Sequence, residues 1–308
     1  MTNTTFDRSA GGRLDEAAAP ARPLASRPRA RAGLRPWPLA RRGLLHLLLI
    51  ALALTMLFPF FWTISASLKG NDAVLATPPQ LLPTSLQWDN YAAVAQAIPL
   101  GRFFVNSLVV AVATTVLQLL TCSMAAYAFA RVRFRGSGPL FLVYLATLMV
   151  PAQVTLTPLF ILMRLFGLTN TYAGLILPGV TSAFGVFLLR QFFLTIPREL
   201  EEAAFLDGAS HWIVYSRIIL PLARSGLAAL TIFSFMASWN SFLWPLLVTS
   251  DQNLMTLPLG LSTLQGQYST AWNQLMAGTV LSIIPIVIVY ILAQRHFVEG
   301  LAFSSIKA

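Results

Sequence analysis

The chain holds one cysteine, two lysines and little charge of either sign: 21 Lys+Arg and 11 Asp+Glu in 308 residues, 10% charged against 56% hydrophobic. With Cys122 alone, no intrachain disulfide can form and no cysteine-based metal site is suggested. His46, His211 and His296 lie far apart and match no ligand spacing, so they read as interfacial or solvated residues and no metal is expected. Lys69 is followed by Gly70 and Lys307 by Ala308, which excludes a phosphate-binding loop with its Lys-Ser/Thr pair. Gly-x-Ser-x-Gly and His-Glu-x-x-His are absent as well. The chain is therefore not expected to be an enzyme. If it moves a solute uphill, another chain supplies the work.

What it has in quantity is uncharged apolar sequence. A soluble domain carries about 25% charged residues, and runs of roughly 20 apolar residues mark membrane spans. Six such runs occur, at about 44–66, 103–130, 140–162, 173–189, 225–248 and 274–293. Backbone polar groups in lipid must be satisfied internally, so each span is expected to be a helix. The fold class is all-α, a membrane protein of six transmembrane helices. No span holds Asp, Glu, Lys or Arg away from its ends, which speaks against a secondary carrier coupled through ionisable groups. A membrane enzyme would need convergent acid, base or metal groups near the interface, and these are lacking too. Uncharged polar residues do occur. Gln153 and Thr155 lie between Pro151 and Pro158, and Asn240 and Ser241 lie near Trp239 and Trp244. They support two readings, hydrogen bonding between helices or a polar translocation path. Pro151, Pro158, Pro245 and Pro285 are expected to kink their helices.

The basic residues are unevenly placed. Nine arginines precede Gly43, three follow the second span, four surround residues 190–224, and Arg295 and Lys307 follow the sixth span. That puts eighteen on one side and only Lys69, Arg102 and Arg164 on the other. The positive-inside rule then places both termini and Gly208 in the cytoplasm and Gln267 outside. Residues 1–43, rich in Ala, Arg and Pro, read as a disordered basic cytoplasmic tail. Residues 44–308 form the transmembrane domain. The first span is too long for a signal peptide and reads as retained. Trp88–Gln96, in the first external loop, reads as a short interfacial helix.

One cytoplasmic stretch, "RELEEAAFLDGASHWIVYSRIILP" from Arg198 to Pro221, interrupts the apolar pattern with four acidic residues. Thr195 is placed to cap a helix with Pro197 in its first turn. Glu199, Glu201 and Glu202 suit the positive end of that helix. Leu200, Ala203 and Ala204 share a face whose small side chains admit close approach. Gly208 can end the helix in a left-handed conformation. Ser210 can cap a second helix, roughly His211–Ile219, and Pro221 restarts the chain into span five.

The spacing Glu202-Ala203-Ala204, three residues, Gly208, nine residues, Ile218, one residue, Leu220-Pro221 resembles the "EAA" loop of ABC importer permeases in every fixed position. "NSLVVAVATT", "AYAFAR", "MVPAQVTLTPLF", "LRQFF", "WNSFLWPLL" and "QRHFVEGL" resemble the sugar-carrying branch, close to the second membrane subunit of the maltose transporter. The resemblance covers residues 44–308. It implies the type I (MetI-like) permease fold with cytoplasmic coupling helices, and residues 194–223 as an ATPase-docking loop. Glu202 would pair with a basic group of the ATPase, Ala203 and Ala204 would permit close contact, and Gly208 would form the turn. It also implies a second homologous permease, two ATPase subunits that bind ATP and Mg, an external substrate-binding protein, and a bacterial or archaeal inner membrane. This chain itself would bind no cofactor and no nucleic acid. A neutral sugar is expected rather than a glycerol phosphate, because no span offers Arg or Lys to balance a phosphate.

Overall fold

The computed structural model describes residues 39–266 and 270–304, with side chains described for 42–266 and 270–294. The chain divides into two units, Met1–Leu54 and Thr55–Ala308. In the first, the described part is the beginning of helix α1 (Leu39–Ser67), whose leucines are exposed from Leu44 onward. A helix that is apolar all round suits lipid rather than water.

The second unit opens with the end of α1 and two short helices, α2 (Asn71–Val74) and α3 (Asp89–Ala97). The expected interfacial helix at Trp88–Gln96 is α3. Asn90 at its start ties the loop together, donating to the carbonyls of Ser67 at 2.8 Å and Lys69 at 2.9 Å. Lys69 is buried, donates to the Gln80 carbonyl and lies 4.6 Å above the Trp62 ring, and burial pulls its ammonium below the usual lysine range.

The central element is α4 (Leu100–Arg131), an unbroken apolar helix of 32 residues. At about 1.5 Å per residue it is roughly 48 Å long, more than a bilayer core requires. The three runs that follow are broken. The span expected at 140–162 is α5 (Ser137–Ala146) with a 3-10 turn, then α6 (Ala152–Leu165), bent by 98°. Pro151 causes the break: it pushes Val150 into extended backbone (φ −81°, ψ 117°) and cannot donate to the preceding turn. The span expected at 173–189 is α7 (Tyr172–Ile176) with a turn through Pro178, then α8 (Ala183–Thr195), bent by 46°. Ser182 caps α8 by accepting from the Gly185 amide. The helices α9 (Glu199–Leu206), α10 (His211–Ile213) and α11 (Leu220–Leu222) follow, then α12 (Arg224–Trp239) and α13 (Leu243–Val248). The run expected at 225–248 is thus not one helix but two, parted at Asn240. The loop after it contains α14 (Leu257–Ser262), and α15 (Trp272–Ser304) ends the described chain.

Helix α4 packs along α8 and α12, and α12 packs against α15. Small residues permit the approach, as expected where lipid supplies no hydrophobic drive between helices. A Cβ on Gly185 would stand 3.0 Å from both the Cys122 Sγ and a Leu230 methyl, so this glycine sets the distance between α4, α8 and α12. Cys122, Val186, Leu189, Phe193, Tyr215 and Leu230 belong to one buried cluster; Phe103, Trp239, Leu257 and Leu275 belong to another.

Candidate functional site

The loop between α8 and α12 is built from local signals and one distant pairing. Thr195 does not cap α9. Its hydroxyl bonds back to the Phe192 carbonyl at 2.7 Å and closes α8. Ile196 is extended ahead of Pro197, so Arg198 takes the cap position and α9 begins at Glu199. Glu199, Glu201 and Glu202 occupy its first turn, where the helix dipole favours carboxylates.

Glu201 and Glu202 then part company. Glu201 turns inward, and its Oε1 lies 2.9 Å from Nε of Arg131, an ion-pair contact with the two side chains 8% and 2% exposed. Arg131 also donates through Nη2 to the Phe193 carbonyl and, at 2.7 Å, to the Ile196 carbonyl. One guanidinium at the end of α4 thus holds the end of α8 and the start of α9. Burial pushes the Glu201 carboxyl above the usual range, while Arg131, Arg198 and His211 pull it back. Glu202 and Ala203 are exposed; Ala204 is half-buried against the core.

Gly208 ends α9 as expected, at φ +83°. The Ala209 amide bonds to the Ala204 carbonyl at 2.9 Å, and the Gly208 amide to Phe205 at 3.0 Å. This pair of bonds is the Schellman closure. Ser210 caps the next helix by accepting from the Ile213 amide at 3.4 Å. That helix runs past Ile219 to Leu222, and its middle, Val214–Ile219, is π-helical, with the Leu220 amide bonded to the Tyr215 carbonyl. Pro221 lies within its last turn, and the chain breaks at Ala223 instead. On the inner side, the Tyr215 hydroxyl lies 2.7 Å from Ser123 Oγ and His211 Nδ1 lies 3.1 Å from the Tyr127 hydroxyl. Ile218 and Leu220 are half-buried against the core. On the outer side, Leu206 is 89% and Trp212 60% exposed, beside exposed Leu200, Phe205 and Ile213. An acidic helix start, an exposed alanine and several exposed large apolar side chains thus lie within one loop.

The second candidate group lies at helix breaks. Gln153 and Thr155 are in the first turn of α6, both exposed, with the Thr155 hydroxyl bonded to the Ala152 carbonyl at 2.8 Å. Asn240 caps the end of α12 and is exposed; Ser241, half-buried, lies in the link to α13. The structure places the two pairs on different elements. Helices α6 and α13 do pack against each other, in a cluster that includes Leu159, Met163, Val248 and Trp244. These residues offer amide and hydroxyl hydrogen bonds and no titratable group. Among the described residues no three His, Cys, Asp or Glu side chains group as metal ligands.

Sequence reasoning missed the Arg131–Glu201 pair, because the partners are brought together only by tertiary packing. An arginine in the last turn of a helix that is uncharged from Phe103 to Ala130 was the one available hint.

The family model for the binding-protein-dependent transport system inner membrane component matches residues 120–302. The arabinooligosaccharides transport system permease protein AraQ of Halalkalibacterium halodurans is 38% identical over 259 residues, covering 83% of this chain and 93% of AraQ. The sn-glycerol-3-phosphate transport system permease protein UgpE of Pectobacterium atrosepticum is 38% identical over 275 residues, covering 86% and 98%. A crystal structure of a bacterial ABC transporter involved in the import of the acidic polysaccharide alginate contains a similar chain. Its TM-score is 0.73 at 26% identity, covering 85% of this chain and 99% of that one.

Proposed function

Because the chain belongs to the family of binding-protein-dependent transport system inner membrane components, we propose that it is one permease subunit of an ATP-driven sugar or oligosaccharide importer. The observation that carries the reading is the loop from Arg198 to Leu222. Its exposed Glu202, the Schellman closure at Gly208 and exposed Leu206 and Trp212 present an outward face that supports docking of a partner. On this reading Glu202 pairs with a basic group of a cytoplasmic ATPase subunit, and Ala203 and Ala204 let the two surfaces close. Gly208 aims the second helix. Ile218, Leu220 and Pro221 hold that helix on the core, so that force on the loop reaches α4 and α12. The ATPase subunits bind ATP and Mg; a second homologous permease and an external binding protein complete the importer.

Six spans are proposed: α1, α4, α15 and three broken ones. Helix α12, at 16 residues, is only about 24 Å long, short of the roughly 30 Å hydrocarbon core. Adding α13 makes up the length, which supports reading both as the fifth span. An even count and the basic bias put both termini on the cytoplasmic side of the inner membrane.

Gln153, Thr155, Asn240 and Ser241 are proposed to line the sugar path. Exposed amides and hydroxyls on apolar helices favour a polar route or a facing permease over lipid. A glycerol phosphate is the second substrate reading, favoured by the equal identity to UgpE. The test is ATP hydrolysis by the purified complex in vesicles, with binding protein loaded with an oligosaccharide or with sn-glycerol 3-phosphate. Stimulation by the sugar alone is expected. Stimulation by the phosphate alone would overturn the sugar assignment, and stimulation by neither would overturn the importer.

A further inference from the structure

A cleft of about 570 Å³ opens where α4 ends, α8 passes and α5 begins. Five arginines line it: Arg131, Arg133, Arg135, Arg190 and Arg198. Among the described residues, the one carboxylate that ion-pairs with any of them is Glu201, on Arg131. Among the described residues the other four make no ion pair, and only Arg198 shares the field of Glu201 with Arg131. The start of the ten-residue helix α5, with Ser137 in the lining, adds the positive end of its dipole.

Of the docking loop only Leu194 and Arg198, at its start, reach this cleft. Glu202, Ala203, Leu206 and Trp212 take no part in its lining. Nor is it an ordinary solvated basic patch. Arg190 lies five residues inside the end of α8, about 7–8 Å along the helix. Its Nε donates to the Phe129 carbonyl at 3.2 Å, and its guanidinium stands 4.4 Å above the Phe141 ring. Phe134 and Leu194, both exposed and both apolar, border the same cleft. Basic groups at the end of an apolar helix, with exposed apolar side chains beside them, suit an anion that arrives attached to a hydrocarbon. Basic pockets between spans at this level hold acidic lipid headgroups in other membrane proteins.

We propose that this cleft binds the phosphate of an anionic phospholipid headgroup, with Arg133, Arg135 and Arg198 as the accessible charges and Arg190 at its base. The bound acyl chains lie beside Phe134 and Leu194. Because Arg131 forms part of the cleft and also grips Glu201, the lipid sits directly against the anchor of α9.

The full chain, purified in detergent, is titrated with dioleoylphosphatidylglycerol and followed by native mass spectrometry. The first lipid is expected to bind the wild type far more tightly than dioleoylphosphatidylcholine does. R133Q/R135Q/R198Q is expected to weaken that step on the order of 100-fold, from three charges lost near a phosphate. R133K/R135K/R198K keeps the charge and is expected to bind within a few-fold of wild type, which separates charge from folding. Arg131 and Arg190 stay untouched because backbone carbonyls depend on them. Equal affinity in the glutamine variant, or equal affinity for phosphatidylcholine, would overturn the site. Displacement by millimolar inorganic phosphate would assign the cleft to free phosphate and overturn the lipid. Loss of bound lipid when the partner subunits are added would make it a protein interface and overturn the proposal equally.

Discussion

Replacing Glu201 by alanine removes the one carboxylate among the described residues that ion-pairs with the buried Arg131 guanidinium. Breaking one side of a buried ion pair costs about 3–5 kcal/mol, because the other charge stays desolvated. Arg131 keeps two acceptors, the carbonyls of Phe193 and Ile196, so the lower end, about 3 kcal/mol, is expected. At about 2–4 °C per kcal/mol for a chain of this order, that lowers the melting temperature by about 6–12 °C. The protein carries its own reporter. Cys122 is the sole thiol and is buried, so a thiol-reactive fluorophore in detergent lights up on unfolding. Glu202→Ala, one residue along and exposed, is expected within about 0.5 kcal/mol of wild type in the same assay. The double variant R131M/E201L removes the unpaired charge but also takes the donor from the Phe193 and Ile196 carbonyls, so it is expected to recover only part of the loss. A melting temperature for Glu201→Ala close to that of Glu202→Ala would refute the anchor. So would single losses that simply add in the double variant.

A Cβ added at Gly208 meets no heavy atom within 4 Å, so the main cost expected of Gly208→Val is the backbone, about 1–2 kcal/mol at φ +83°. Vesicle ATPase assays should show the chain inserted and stimulation by loaded binding protein lost. Glu202→Lys should spare the fold but sharply reduce the ATPase subunit retained in a pull-down. Asn240→Leu should alter uptake while the complex still assembles; unchanged uptake at Gln153, Thr155, Asn240 and Ser241 alike would return all four to helix packing. In a Cys122→Ala background, cysteines at Gly208 and Asp251 should label from opposite sides of the membrane, and labelling from one side would overturn the topology.

The helical class and the apolar runs were legible because hydropathy acts over twenty residues at a time. The kink at Pro151 was legible because proline is a local signal, although its size, a 98° bend, was not. The break at Asn240 was marked only by Pro245, whose expected kink is a parting of α12 from α13; residues 225–248 stay uncharged throughout, and hydropathy does not register one asparagine. Gly208 and Ser210 read correctly because a left-handed turn and a cap are decided within four residues. Thr195 misled for the same reason in reverse, since Thr-x-Pro looks like a helix start while its hydroxyl serves the helix behind it. Helix α14 is too short for a hydropathy signal, and Pro258 in its first turn is its one local mark. The arginine cleft was hidden altogether. Its members come from three segments, and only folding reveals that Arg190 and Arg198 stand across from "RVRFR".

The π-helical turn at Val214–Ile219 also fixes a phase. Such a turn is an α-helix that has taken in one surplus residue. Each residue of an α-helix advances it by about 100°. Pro221 and Leu222 therefore point about a third of a turn away from where an uninterrupted helix starting at His211 would aim them. Shortening the stretch by a single residue, whichever one, would let the ladder close at the ordinary pitch. Everything beyond would still face as it does now against Tyr215 and His211, whose hydroxyl and ring contacts fix the start on α4, because the residue lost is the one the π turn had absorbed; closing the ladder with every residue kept is what would rotate it by about 100°. The π turn, more than the identity of any one residue in it, thus keeps the acidic turn of α9 and the first turn of α12 in step.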